Sequence, residues 1–367
     1  MFDEESINNL RRSIREGRPV TGPLDVQILP TSRCNAGCVF CPLNCIPEAL
    51  MHYTPRFTCG GVDLPGGLLD RLADDLYHLG GLRRLTITGG EPLLYNLLVP
   101  AVFQFTRSFE NAELSVVTNG LRLHRFAGFL ARSGLSGLTV SLNAGTPETY
   151  RQQNPRASAD TFDDIMEAVA ALSREKKKAE SACPHVTLSV VLSSYSAGDV
   201  EPLFEAGKRT GANAITFIPL MRFMIEGHES NRDHRVSAEG FRRFLDELDH
   251  YSELARREGF YLGYAGSRDD QGVLDAGGLY ERQPCYAGYA FAAVFPNGDV
   301  RPCCHCEPVM GNLKESSFTD IWRSERYQEY RERMLKIEEK GLLPGCLCNE
   351  CGYLFENEQI YRGLGHE

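Results

Sequence analysis

Short apolar runs of five to seven residues recur between residues 24 and 220, and each gap between them leaves room for one helix. Runs at 24–29, 82–88, 114–118, 138–142, 186–192 and 214–219 predict six strands. Between them, 68–79, 97–109, 123–130, 161–172 and 200–209 predict helices. In the fourth of these, Phe162, Ile165, Met166, Val169 and Leu172 fall on one face. Strands separated by single helices return in parallel, so the pattern predicts an α/β fold with helices outside a parallel sheet. Six such units make a partial (β/α)6 barrel, whose functional residues gather at the C-terminal strand ends.

Outside this repeat the chain changes character. Residues 1–23 form a polar lead-in with Ile7, Leu10 and Ile14 on one helical face, and are too few for a separate peptide-recognition domain. The barrel is expected over 24–236, closing with a polar loop at 221–235. A helix capped by Ser237 and running to Arg257, then a Gly- and Asp-rich linker, occupy 237–284. The tail, 285–367, opens with strands at 289–295 and 300–303 around Pro296-Asn297-Gly298-Asp299, a hairpin turn signal, and continues with a helix at 319–338.

The net charge of -10 argues against nucleic acid as the main partner. The one dense basic run, Arg174 to Lys178, reads as a solvated helix end. No apolar run is long enough to span a membrane, and no secretory signal opens the chain. Thirteen cysteines fall in groups at 34–59, 285–306 and 346–351, with Cys183 alone. Grouped cysteines without a signal peptide read as metal ligands in a reducing cytoplasm rather than disulfides.

Cys34, Cys38 and Cys41 stand at C-x-x-x-C-x-x-C directly after the first strand and the Thr31-Ser32-Arg33 bend. Thiolates suit zinc or iron–sulfur clusters, and three leave a four-iron cube one ligand short, with a position open for another molecule. A structural zinc loop borrowing Cys45 or Cys59 is the alternative. Gly89-Gly90-Glu91-Pro92 ends the second strand, where two glycines permit close backbone approach. Ser141 and Asn143 end the fourth strand in Val140-Ser-Leu-Asn143; alternation puts both side chains on one side, ready to hydrogen-bond a ligand's oxygens. The tail reads Cys285, twelve residues, Gly298, four residues, Cys303, then 44 residues and Cys348-Asn-Glu-Cys351.

These motifs resemble the radical S-adenosylmethionine (SAM) enzymes, over residues 24–220, joined to a SPASM or twitch-type tail over 285–351. The resemblance implies two [4Fe-4S] clusters. One would be held by Cys34, Cys38 and Cys41 and would bind SAM through its open iron. The other, auxiliary cluster would be held by Cys285, Cys303, Cys348 and Cys351, with Cys346 a possible replacement for Cys348 and a structural zinc the competing reading. It further implies Phe40 near the adenine or shielding the cluster, Gly89, Gly90, Glu91 and Pro92 at the SAM amino group, Asn119, Ser141 and Asn143 facing the pocket, and Arg151 on the SAM carboxylate. Relatives often carry Asp at the Asn143 position.

Reductive cleavage of SAM would give a 5′-deoxyadenosyl radical that abstracts hydrogen from a small hydroxyl- or amine-bearing substrate, such as an aminocyclitol or sugar of a natural-product pathway. The auxiliary cluster then favours dehydrogenation. Epimerisation with a thiol donor (Cys45, Cys59, Cys183, Cys304 or Cys306) and ribosomal-peptide maturation are the alternatives. A reductase, flavodoxin or ferredoxin would supply the electron.

Overall fold

The computed structural model describes residues 2–41, 61–221, 224–225, 228–229, 231–269, 272–273, 276 and 278–365. Among them the strands run in chain order β1 (Asp25–Ile28), β2 (Arg84–Ile87), β3 (Glu113–Thr118), β4 (Gly137–Ser141), β5 (His185–Val191), β6 (Ala214–Ile218), β7 (Met224–Ile225), β8 (His228–Glu229), β9 (Tyr261–Tyr264), β10 (Phe291–Val294), β11 (Asp299–Arg301) and β12 (Gly311–Asn312). The chain divides into two compact units, one drawn from residues 1–33, 54–114 and 275–367, the other from 34–53 and 115–274. The fold is mixed α/β with mostly parallel strand pairing, as the sequence predicts.

In the first unit the strand order is β12-β11-β10-β1-β2. β1 runs parallel to β2, Asp25 opposite Arg84, and parallel to β10 on its other edge, Asp25 opposite Phe291. β11 returns antiparallel to β10 through the expected turn, with Gly298 at φ +93°. The expected hairpin is present, but it is not a free-standing tail sheet. All four residues of β10 are buried, so its outer ladder edge is covered by β1 rather than left bare. Asp75, on the helix Gly66–Leu79, likewise accepts from the Phe318 amide at 2.7 Å and the Thr319 hydroxyl at 3.0 Å. The unit division therefore differs from a boundary at residue 285.

The helix expected over 319–338 is broken. It appears as Phe318–Arg323, Glu325–Leu335 and Ile337–Lys340, because the extended Ser324 accepts from the Tyr327 amide and starts a new helix. A terminal helix, Leu354–Gly363, is not foreseen by the sequence reading. The lead-in forms the expected amphipathic helix, Glu4–Glu16, capped by Asp3.

In the second unit the order is β3-β4-β5-β6-β9 with parallel pairing throughout. β4 buries Leu138 and Val140 in the alternation that marks a strand. β9 corrects the sequence reading, for it lies within the expected linker and extends the sheet beyond β6. Helix Thr161–Lys178 runs six residues past the predicted end at 172. Its basic end is only partly solvated, since Lys176 is buried and donates to the Pro184 carbonyl at 2.6 Å. The segment 123–130 is split into a single turn, Leu123–Arg125, and the short helix Ala127–Leu130. The expected loop at 221–235 carries the small β7–β8 pair and a turn at Arg232–His234. Among the described residues no helix is long and apolar enough to cross a membrane.

Arg84 joins three elements of the first unit. It donates to Asp25 at 2.5 Å on β1 and to Glu356 at 3.0 Å on the terminal helix. Burial pushes the Asp25 carboxyl up to about 6 against the pull of Arg84, so Arg84→Ala strands a buried charge and should cost on the order of 3 kcal/mol in urea unfolding. The double variant Asp25→Asn/Arg84→Met should recover most of that loss. Equal stability of Arg84→Ala and the native chain would refute this role.

Candidate metal centres

The first cysteine loop has no regular secondary structure and is held by side chains instead. Asn154 accepts from the Gly37 amide at 2.8 Å, the Gln153 carbonyl accepts from the Val39 amide at 2.9 Å, and Arg156 donates to the Ala36 carbonyl at 3.3 Å. All three pinning residues lie at or just after the end of helix Pro147–Gln153. Asn119, at the end of β3, donates to Asn35 at 3.0 Å, and its amide nitrogen lies 3.8 Å from the Cys34 sulfur. Cys34, Cys38 and Cys41 are half-buried, and Phe40 between them is buried. Burial pushes the Cys38 thiol up to about 11, with Cys34 close enough to add to the effect. Thiols that oppose each other's ionisation in this way suit a positively charged centre that binds them together.

In the first unit the chain leading to that loop is fixed at Thr31 and Arg33. Arg33 grips Asp63 through Nε at 2.9 Å and Nη2 at 2.6 Å, and Thr31 donates to the same carboxylate at 2.6 Å. Partial burial would raise the Asp63 carboxyl, but these bonds hold it below the usual range. Gly89 and Gly90 lie flat against this segment, the Gly90 amide donating to the Thr31 carbonyl at 2.9 Å. Gly89 has φ +122°, and a Cβ on Gly90 would meet the Arg33 carbonyl oxygen at 2.2 Å. Glu91 is fully buried and accepts from the Leu93 amide at 2.9 Å, capping the turn Pro92–Leu94.

One expectation is corrected. β4 ends at Ser141, and Asn143 has φ +62°, so strand alternation does not carry through to it. Its carboxamide oxygen accepts from the Val191 amide at 3.0 Å, and its carbonyl accepts from Gln153 at 2.6 Å. Asn143 thus ties strand ends together, while Ser141 stays half-buried in β4 opposite Ser189. Arg151 is paired with Glu148 at 2.5 Å on an exposed helix face, one turn away in sequence. The loop at 42–60, with Cys45 and Cys59, lies outside the described residues.

In the tail, Cys285, Cys303, Cys348 and Cys351 are all buried. Three of them share an apolar core with Tyr286, Tyr289, Ile337 and Tyr353. Burial pushes the Cys285 thiol up, and Cys351, Cys303 and Cys348 each add to it. Cys351 is raised to about 12 by burial and then by Cys303. Bound iron would reverse the cost of ionising these buried thiols. Among the described residues no three His, Cys, Asp or Glu side chains are grouped closely enough for a single metal ion.

The surplus cysteines depart from the reading of a fully reduced set. Cys306 and Cys346 form a disulfide across an isolated antiparallel bridge, Cα atoms 4.1 Å apart, flanked by Glu307 N–H to Gly345 O at 2.8 Å and Leu347 N–H to His305 O at 3.1 Å. Cys346 is thus paired with Cys306, while Cys348 is a free, buried thiol. Cys304 is half-buried beside Cys303.

Because the Gly90 contact is with backbone, Gly90→Ala must displace the bend that precedes Cys34. Displacements near 1 Å cost about a hundredfold in positioned reactions. Release of 5′-deoxyadenosine under dithionite should fall by about that factor, and a rate within about twofold of native would contradict the packing argument.

Comparison with known proteins agrees with this geometry. The radical SAM superfamily matches residues 28–206, and the SPASM iron-sulfur cluster-binding domain matches residues 285–352. A GTP 3′,8-cyclase of Caulobacter vibrioides is 29% identical over 236 residues, covering 63% of this chain and 60% of the relative. Across three such cyclases the chain spans 51 to 60% of the relatives' lengths. Among solved structures, Streptococcus suis SuiB bound to S-adenosylmethionine superposes with TM-score 0.64 at 16% identity, covering 95% of this chain and 74% of that one. Native anSMEcpe with bound AdoMet gives 0.61 at 16%, covering 93% and 96%. At such identities the structures speak to fold alone. The chain carries a radical SAM domain and a C-terminal SPASM domain, with SAM and [4Fe-4S] clusters as the cofactors of these domains.

Proposed function

We propose that the chain is a radical SAM dehydrogenase acting on a small molecule that bears a hydroxyl or amine beside the attacked carbon. The observation that carries this reading is the buried set Cys285, Cys303, Cys348 and Cys351. Four thiolates satisfy every corner of a four-iron cube, leaving no iron to hold substrate, so the tail centre is suited to electron transfer. In this reading Cys34, Cys38 and Cys41 hold the other cluster and leave one iron for SAM. Gly89, Gly90, Glu91 and Pro92 shape the turn that meets the SAM amino group, Asn119 and Ser141 line the pocket, and Phe40 shields the cluster or packs near the adenine.

When bound, these groups supply the electron that splits SAM into methionine and a 5′-deoxyadenosyl radical, and an acceptor for one electron afterwards. The substrate's C–H hydrogen ends on the 5′ carbon of deoxyadenosine. The neighbouring O–H or N–H proton passes to solvent, the remaining electron to the tail, and the substrate leaves two hydrogens poorer. The chain's own part is positioning. Gln153, Asn154 and Arg156 hold the cysteine loop, and Asn119 steadies Cys34. The partners in this reading are the small substrate and a reductase, flavodoxin or ferredoxin.

A second reading rests on the relatives named GTP 3′,8-cyclase. It would be a ring closure on a nucleotide without net oxidation, and the tail centre would then serve structure.

Anaerobically reconstituted protein should carry about eight irons per chain, two cubes; a count near four would remove the tail centre. Replacing Cys34, Cys38 and Cys41 by alanine should abolish 5′-deoxyadenosine release while the tail cluster's absorbance persists. Offered polyols and amino sugars, the enzyme should yield a product lighter by two hydrogens. Turnover of GTP to a product of unchanged mass would reject the dehydrogenase in favour of ring closure.

A further inference from the structure

The stretch before the tail, expected to be a linker, contains a short turn, Leu279–Glu281, that brings a tyrosine against the cysteine pocket. Tyr280 is 4% exposed, and its hydroxyl lies 2.9 Å from the Cys351 sulfur. The turn is tied to the Cys348–Cys351 segment, because the Ala276 amide donates to the Asn349 carbonyl at 2.7 Å. We propose that Tyr280 donates a hydrogen bond to the Cys351 thiolate of the tail cluster and so raises that cluster's reduction potential. This rests on the tail cluster proposed above.

The direction of the bond follows from ligation. A thiolate bound to iron has no proton to give, whereas a phenol is protonated at neutral pH and can donate. Hydrogen bonds to cluster sulfurs favour the reduced, more negative state and are among the levers that set cluster potentials. The site is buried in an apolar core, where low dielectric strengthens such a bond. Tyr330 serves as a comparison. It also faces the cysteines, but its hydroxyl lies 3.0 Å from the sulfur of Cys346, which is in the disulfide. Tyr280 acts through Cys351 and is a positioning residue. A tail centre that accepts the substrate's electron benefits from a raised potential, so the proposed bond agrees in sign with dehydrogenation.

The test is a redox titration, followed by electron paramagnetic resonance, of the full-length chain with Cys34, Cys38 and Cys41 replaced by alanine, so that only the tail centre contributes. Tyr280→Phe should lower the equilibrium constant for one-electron reduction about tenfold, or about 59 mV, with iron per chain unchanged. Tyr330→Phe should shift it by less. Tyr280→3-fluorotyrosine is nearly isosteric and a stronger donor, and should shift the potential upward, which a packing role would not do. If Tyr280→Phe fails to load iron, the sign of the fluorotyrosine shift decides. A potential unmoved by the fluorotyrosine, or moved equally by Tyr330→Phe, overturns the role of Tyr280 while the tail cluster stands. Absence of tail iron from the unsubstituted tail overturns the cluster reading itself.

Discussion

Four thiols that repel one another as anions, enclosed in an apolar core, govern the first unit. Cys285 precedes β10, Cys303 follows β11, and Cys348 and Cys351 follow the last of the broken helices. Each approaches from a different part of the tail, and their sulfurs lie among tyrosines and aliphatic side chains. Without a counter-charge, burial keeps these thiols protonated, as the raised values for Cys285 and Cys351 express. With iron, the same burial becomes an asset, since a low-dielectric shell excludes water and fixes the cluster's potential. Packing and metal binding would thus be coupled, because the core that β10 and the terminal helix build also encloses Cys285, Cys348 and Cys351.

The first loop solves a different problem. Its three cysteines are half-buried, and no strand or helix contains them. In the second unit, Gln153 links the loop to two strand ends at once. Its carbonyl takes the Val39 amide, its amide nitrogen binds the Asn143 carbonyl, and its oxygen lies 3.5 Å from the Ser193 hydroxyl. Among the described residues, such a loop is held by a polar network of side chains and backbone.

Much of this was legible in the sequence, and the failures have physical causes. β4 and the face of helix Thr161–Lys178 were readable because alternation and helical spacing are local. β9 was not, since Tyr261 is 56% exposed, Gly263 interrupts the pattern and Gly259 precedes it. Asn143 misled because its position two residues after Ser141 mimics strand alternation, whereas its left-handed backbone ends the strand. Cysteine spacing pointed to the radical SAM and SPASM domains directly. Gln153, Asn154 and Arg156 carry no comparable signal; only Asn154-Pro155 hints at a turn, and their burial against the loop is a tertiary fact. Tyr280 and the Cys306–Cys346 pair depend on chain segments 71 and 40 residues apart in sequence meeting in space.

The parallel pairing of β1 with β10 has a consequence for biogenesis. Asp25 and Phe291 are partners in one ladder although 266 positions separate them (291 minus 25), while residues 115–274, the bulk of the second unit, are contiguous. A chain emerging from the ribosome can complete that contiguous stretch while β1 still lacks one of its two neighbours. The edge of β1 stays open until β10 arrives, and the late pairing carries the entropy of closing a very long loop. Three of the four tail cysteines follow β10 in the chain. The set of four tail cysteines is therefore complete only near the end of synthesis, long after Cys34, Cys38 and Cys41 have emerged.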